Sequence, residues 1–265
     1  MYFYLYDAFL QDKKYAKVLA EIDARLIDLS IQGRTSRLTI LNDMKELITD
    51  AVKRGADTVV ILGDDKTVTR AISAIAELDV ALGVIPIGAN TAVARYLGIP
   101  EGVAACEVLS KRVRESIDIG KAGSNYFAFY LRSMSPHVKI VSPLREYALT
   151  LLSDDAEIFV CNFLPHELER EAPYPASFFV PRDGKLELVV KERGKNSLID
   201  RWLFQNADEK REFTILPFTT LRIEADTLER DVRLVLDNDK VIKPPIDITV
   251  LPHHVSVIVG KDRMF

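Results

Sequence analysis

Three consecutive segments limit the fold more than any other part of the chain: Asp57-Thr-Val-Val-Ile-Leu62, then Gly63-Asp64-Asp65-Lys66-Thr67, then Val68 to Ala76. The first is an apolar, β-branched run and reads as a buried strand. The last carries Ile72, Ile75 and Ala76 at helical spacing. A strand, a tight glycine-containing turn and a helix start together form a natural anion site. The first amides of a helix lack intrahelical acceptors, and the helix dipole favours negative charge there.

The same alternation surrounds this stretch. Residues 2–6 form a first strand, and Leu19, Ile22, Leu26 and Leu29 mark a helix over 15–29. A short strand is expected over 37–40. Asn42 or Asp43 then caps a helix over 44–54 that turns Leu47, Ile48, Ala51 and Val52 inward, with Gly55 closing it. Residues 82–88 give the next strand, and Ala89 opens a helix that ends before Pro100. This β-α-β-α-β order argues a parallel sheet with helices on its faces. From residue 125 the texture changes to short β-type runs, over 125–131, 157–162, 186–191, 220–224, 232–236 and 246–250, with turns between them. The expected architecture is an N-terminal α/β domain over 1–119 and a C-terminal antiparallel β-sandwich over 120–265, with a nucleotide cleft between them. The last ten or so residues are left open to either domain.

Composition narrows the partners. With 35 basic against 39 acidic residues and a net charge of −4, no global basic field points to nucleic acid. Cys106 and Cys161 lie in apolar surroundings, and two cysteines are too few for a disulfide framework, so they read as free thiols in a reducing compartment. The first strand lacks the basic leader of a signal peptide, and no apolar run approaches the roughly 18–20 residues of a spanning helix. The expectation is a cytoplasmic protein, at most peripheral at the inner membrane face, with its oligomeric state open. The four histidines show no metal-ligand spacing, and His253-His254 after Pro252 read as a turn.

The Gly63–Thr67 stretch resembles the Gly-Gly-Asp-Gly-Thr loop of the diacylglycerol kinase-like lipid kinases. Gly63, Asp65 and Thr67 match, whereas Asp64 and Lys66 replace the other two glycines. Pro86, Gly88, Ala94, Arg95, Leu97, Gly98, Ile99 and Pro100 match the family's Ile-Pro-x-Gly-Thr-Gly/Ala-Asn-Asp/Thr-x-Ala-Arg-x-Leu-Gly-Ile-Pro pattern. Its middle is altered here to Ala89-Asn90-Thr91-Ala92. Arg114–Gly120 resembles the segment leading into the family's second domain, and Asp183–Val190 resembles that domain's Asp-Gly-x-Leu-Asp-Val-x-Val hallmark. Leu236-Asp237-Asn238-Asp239-Lys240 stands where the family has Asp-Gly-Glu. Two departures are larger. The loop after strand one, Asp7 to Asp12, has no glycine, and Arg132–Pro136 replaces a Gly-x-Gly-Phe-Asp-Ala segment. A NAD kinase shares the Asp loop but should carry an Asn-Glu/Asp pair near its second domain, which this sequence lacks.

The resemblance implies ATP-dependent phosphoryl transfer to diacylglycerol, a similar lipid alcohol or another small molecule, with ATP and Mg as cofactors. Asp65 is then the catalytic candidate, as Mg-associated carboxylate or base, and its plainer reading is a cap on the helix from Thr67. Gly63, Asp64, Lys66, Thr67, Gly88, Ala89, Asn90, Thr91 and Arg95 are the nucleotide-binding candidates. Asp64 brings a like charge toward phosphate, which at about 4 Å costs on the order of 1–4 kcal/mol. Lys66 either holds phosphate or fills its place and shuts the site. Asp237 and Asp239 are Mg ligand candidates, or simply a polar turn between strands. Asp7 stands where the family's Asn would be, or is a solvated strand-end carboxylate. Phe178-Phe179 and Trp202-Leu203-Phe204 line an acyl-chain cleft or belong to the β-domain core. The alternative to a working kinase is a catalytically impaired descendant that binds nucleotide, lipid or a protein partner.

Overall fold

The computed structural model describes residues 1–39, 41–142, 148–150, 156–169, 178–193, 211–225 and 232–265. The chain divides into two compact units, Met1–Ile119 with Pro252–Phe265, and Gly120–Leu251.

In the first unit, strands and helices alternate: β1 (Tyr2–Tyr6), α1 (Ala16–Asp28), β2 (Arg34–Arg37), α2 (Met44–Lys53), β3 (Thr58–Gly63), α3 (Asp65–Ile75), β4 (Ala81–Pro86), α4 (Ala92–Tyr96) and α5 (Ala105–Lys111). The sheet order is β2-β1-β3-β4, all parallel. Every residue of β1, β3 and β4 is buried, as strands covered by helices on both faces must be. The helices supply that cover through narrow apolar stripes: Leu19, Ile22 and Leu26 of α1, Met44, Ile48 and Ala51 of α2, and Val68, Ala71, Ile72 and Ile75 of α3. Burying such side chains stabilises the unit by about 1.5–3 kcal/mol each before the entropy of ordering them is counted.

Two boundaries differ from the sequence expectation. Strand β2 lies three residues before the expected 37–40; Ile40 itself is outside the described residues. Its Arg-Thr-Ser-Arg sequence has no apolar alternation because it is an edge strand held by backbone pairing to β1 alone. Helix α3 starts three residues earlier than its apolar stripe, at Asp65, because Asp64 caps it. Asp43, rather than Asn42, caps α2 by accepting from the Glu46 amide at 3.0 Å.

The second unit holds two antiparallel sheets. Strands β5 (Arg114–Ala122), β6 (Asn125–Phe127), β7 (Tyr130–Ser133), β8 (Val138–Val141), β9 (Ala148–Thr150) and β10 (Glu157–Cys161) precede the short helix α6 (His166–Glu169). Then come β11 (Leu186–Arg193), β12 (Arg211–Phe218), β13 (Thr220–Ala225), β14 (Leu234–Leu236), β15 (Lys240–Ile242) and β16 (Ile246–Ile258). One sheet runs β12-β11-β10-β7-β14-β15, and the other joins the start of β16 to β13, β8 and β9. Alternate residues of both, among them Leu131, Ile140, Val160, Leu188, Ile223, Leu234 and Ile248, meet in one buried cluster. That is the core of a β-sandwich.

Strand β16 is much longer than the expected 246–250. Its last part returns to the first unit and pairs in parallel with β4, Ser256 opposite Ala81. His253 and His254 therefore lie within a strand rather than a turn, although His253 takes a left-handed φ of 49°. The fully buried carboxylate of Asp118 accepts from the His253 amide at 2.7 Å and holds that bend. Phe179 is buried, Phe178 is exposed, and Trp202–Phe204 lie outside the described residues. Among the described residues no helix is long and apolar enough to cross a membrane.

Candidate functional site

Strand β1 has β2 on one side and β3 on the other, so the chain leaves the middle of this sheet in two opposite directions. In open parallel sheets, ligands bind outside the carboxyl ends of the strands at such a switch point. Two loops end there: Asp7 follows β1, and Asp64 follows β3. The Asp7 amide donates to the Leu62 carbonyl at 2.9 Å, which pins the two loops together.

Asp7 is not a solvated strand-end carboxylate. One of its oxygens accepts from the Phe9 amide at 3.0 Å, and the other accepts from the buried hydroxyl of Thr67. Gly63 packs into this junction, and a Cβ there would lie 3.1 Å from the Thr67 Cβ and 3.3 Å from the Asp7 Cβ. The glycine is therefore favoured by close approach rather than by its torsion angle.

The two aspartates that follow divide the capping between two helices. Asp64 is the cap of α3, with its Oδ1 accepting from the Thr67 amide at 3.2 Å. Asp65 is the first residue of that helix and does not cap it. Its carboxylate reaches the next loop, where it accepts from the amides of Ala92 at 2.8 Å and Val93 at 2.9 Å, at the start of α4. The Asp65 amide in turn donates to the Asn90 carbonyl at 2.9 Å. Asp65 thereby ties the loop after β3 to the loop after β4. Burial pushes its carboxyl above the usual carboxylate range, against the pull of those two amides; Asp64 adds to the rise and Arg95 opposes it.

Of the remaining candidates, Gly88 has a φ of +131°, open in practice only to glycine. A Cβ on it would lie 3.2 Å from the Asp64 Cβ and 3.3 Å from the Cζ of Phe9. Ala89 and Asn90 are exposed, and the Thr91 hydroxyl donates to Glu101 at 2.6 Å. Lys66 is exposed on the first turn of α3, and Arg95 is exposed on α4 with its guanidinium over the Tyr96 ring. The loops thus bring Gly63, Asp64, Asp65, Thr67, Gly88 and Asn90 together, with Asp7 and Phe9 beside them. The signal for Asp7 was available: it is a carboxylate one residue beyond the first strand of an alternating chain. Nothing local in the sequence marked Phe9.

Asp237 and Asp239 belong to the second unit. Asp237 and Asn238 both have positive φ, 46° and 54°, and form the tight hairpin turn between β14 and β15. The Asp237 carboxylate accepts from three successive amides, Ala128 at 2.7 Å, Phe129 at 2.8 Å and Tyr130 at 2.9 Å. This capture is also why the expected strand over 125–131 is broken into β6 and β7. Burial raises the Asp237 carboxyl to about 6, against the pull of the amides. With three of its acceptor positions taken, Asp237 fits poorly as a Mg ligand. Asp239 is exposed. Among the described residues no group of three or more His, Cys, Asp or Glu side chains is placed to hold a metal ion.

Comparison with known proteins finds similarities to part of the sequence and to the fold as a whole. Residues 5–122 match the model of the diacylglycerol kinase catalytic domain. A diacylglycerol kinase of Bacillus subtilis (strain 168) is 30% identical over 117 residues, 43% of this chain and 39% of the relative. One from Mycobacterium tuberculosis (strain CDC 1551 / Oshkosh) is 34% identical over 82 residues, 30% of this chain and 26% of the relative. The chain thus spans well under half the length of these relatives in the matched stretches. A crystal structure of a diacylglycerol kinase from Bacillus anthracis str. Sterne superposes with a TM-score of 0.76, covering 98% of this chain and 97% of that one. At 17% identity that likeness is one of fold.

Proposed function

We propose that this chain, which matches the diacylglycerol kinase catalytic domain over residues 5–122 and has the fold of a solved diacylglycerol kinase over its length, is a lipid kinase that carries out ATP-dependent phosphoryl transfer to the hydroxyl of diacylglycerol or a similar lipid alcohol. The observation that carries this reading is the Asp65 bridge at the switch point. One half-buried carboxylate joins the two loops that a polyphosphate would touch, and does so with a raised affinity for a proton.

In this reading Gly63, Thr67, Gly88 and the 89–91 loop shape the phosphate seat, and Lys66 and Arg95 supply positive charge at its rim. The acceptor oxygen attacks the terminal phosphorus, ADP leaves, and Asp65 takes the hydroxyl proton. Mg enters with ATP as part of the substrate. The acceptor lipid lies in a membrane, so the protein works at the surface of one.

A specific observation favours a second reading, a catalytically impaired protein that binds nucleotide, lipid or a protein partner. In the first turn of α3, the Asp65 and Thr67 amides already have acceptors within the chain. Transfer of labelled phosphate from Mg-ATP to diacylglycerol in mixed micelles separates the two. The kinase reading expects turnover that Asp65→Ala abolishes; binding of ATP without turnover by the wild type leaves the impaired protein.

A further inference from the structure

We propose that Phe9 is an autoinhibitory plug on the phosphate seat, and that it must swing away before a polyphosphate can bind. The inference rests on the nucleotide reading of the switch-point site and adds to it what governs access.

The argument starts from Gly88. A glycine at φ +131° exposes backbone with no side chain above it, the kind of surface a phosphate oxygen approaches. Here that space is filled. The Phe9 ring reaches over it, with its Cζ 3.3 Å and its Cε2 3.8 Å from where a Gly88 Cβ would stand, on the same side as the Asp64 Cβ. An apolar ring edge offers no hydrogen bond to a phosphate oxygen and excludes the water that would carry one. Lys66, which the sequence leaves open between holding phosphate and filling its place, is exposed on α3.

Phe9 is held there by contacts that can be undone. It sits in the short 3-10 turn Ala8–Gln11, directly after β1. Its amide donates to Asp7, and its ring meets the ring of Tyr15 edge-on, with centroids 5.4 Å apart. The side chain is half-buried, unlike Leu10 beside it, which is packed into the core. Rotating the ring outward breaks the Tyr15 contact and leaves the Asp7 hydrogen bond intact. A seat open only a minority of the time binds its ligand more weakly by that fraction.

The test titrates the full chain with Mg-ATP and with inorganic tripolyphosphate, which has no base, by calorimetry. Wild type, Phe9→Ala and Phe9→Leu are compared, with thermal melting to verify that each is folded. The plug predicts that Phe9→Ala binds both probes about tenfold more tightly than wild type, with Phe9→Leu between them. Unchanged affinity for both probes overturns it. So does weaker ATP binding with unchanged tripolyphosphate binding, which would make Phe9 a platform for the base. If Phe9→Ala binds neither probe the plug also falls. Mg-ATP binding by wild type then leaves the nucleotide reading standing, and silence from wild type and from Asp64→Gly as well removes both.

Discussion

Two aspartates in this molecule do the same thing with opposite consequences. Asp65 and Asp237 each follow or precede a strand, each lay a carboxylate across backbone amides of a second loop, and each are pushed by burial toward the protonated form. Asp237 accepts from three amides and ends a hairpin, so its carboxylate organises the break between β6 and β7. Asp65 accepts from two, stands at the switch point of a parallel sheet, and has Lys66, Arg95 and Thr67 around it. A carboxylate bound to amides is therefore not by itself a catalytic signature. In the proposed function it is the place of Asp65 relative to the sheet that sets it apart from the structural clasp of Asp237.

The sharpest way to break this comparison is Asp237→Ala. Losing a charged acceptor strands three amides, and the expected cost is about 3–4 kcal/mol of stability by urea denaturation. A loss below about 1 kcal/mol would remove the structural role assigned to it.

The pH dependence of that clasp follows from its raised pKa. The folded carboxyl holds its proton up to about 6, whereas an unfolded Asp releases it near 3.8. Between those values the folded state binds more protons, so stability attributable to this group is fully present below about 3.8 and is lost as pH rises through about 6. Relative to Asp237→Asn, the wild type should gain about 2 kcal/mol on acidification from pH 6.5 to 4, read from denaturation midpoints. A difference that shrinks on acidification would reverse the assignment.

The Asp65→Ala change should be milder for the fold and harsher for binding. Two amides at the start of α4 lose an acceptor, costing about 1–2 kcal/mol of stability, while Mg-ATP affinity falls at least tenfold. The smallest expected effect is that of Lys66→Gly. Its exposed side chain leaves the seat unblocked, so the variant should lose about 1 kcal/mol of helix stability and change ATP affinity by less than a factor of about five. A large gain in affinity would return the blocking role to the lysine.

Much of the fold was legible because burial writes itself into pattern. The continuous apolar run of β3 and the helical stripes of α1 and α2 announced a parallel sheet covered on both faces. The edge strand β2 was misplaced because an edge is held by backbone pairing, which leaves Arg34 to Arg37 free of any apolar rhythm. The site was half legible. Gly63, Asp65 and Thr67 could be named from their resemblance to the lipid-kinase loop, but not that Asp64 caps one helix and Asp65 the next. Capping of a helix 27 residues away is a tertiary fact. The place of Phe9 was hidden for the same reason, since Gly88 reaches it only through the fold; Asp7 could be named as a candidate, but not its bond to Thr67.

The most direct test of the account is a calorimetric titration of Mg-ATP into the wild type beside Asp65→Ala, with Phe9→Ala as the opened form. The account predicts measurable binding by the wild type, binding weakened at least tenfold in Asp65→Ala, and tighter binding in Phe9→Ala. Equal affinity in wild type and Asp65→Ala, or no heat from wild type and Phe9→Ala alike at millimolar nucleotide, would contradict it.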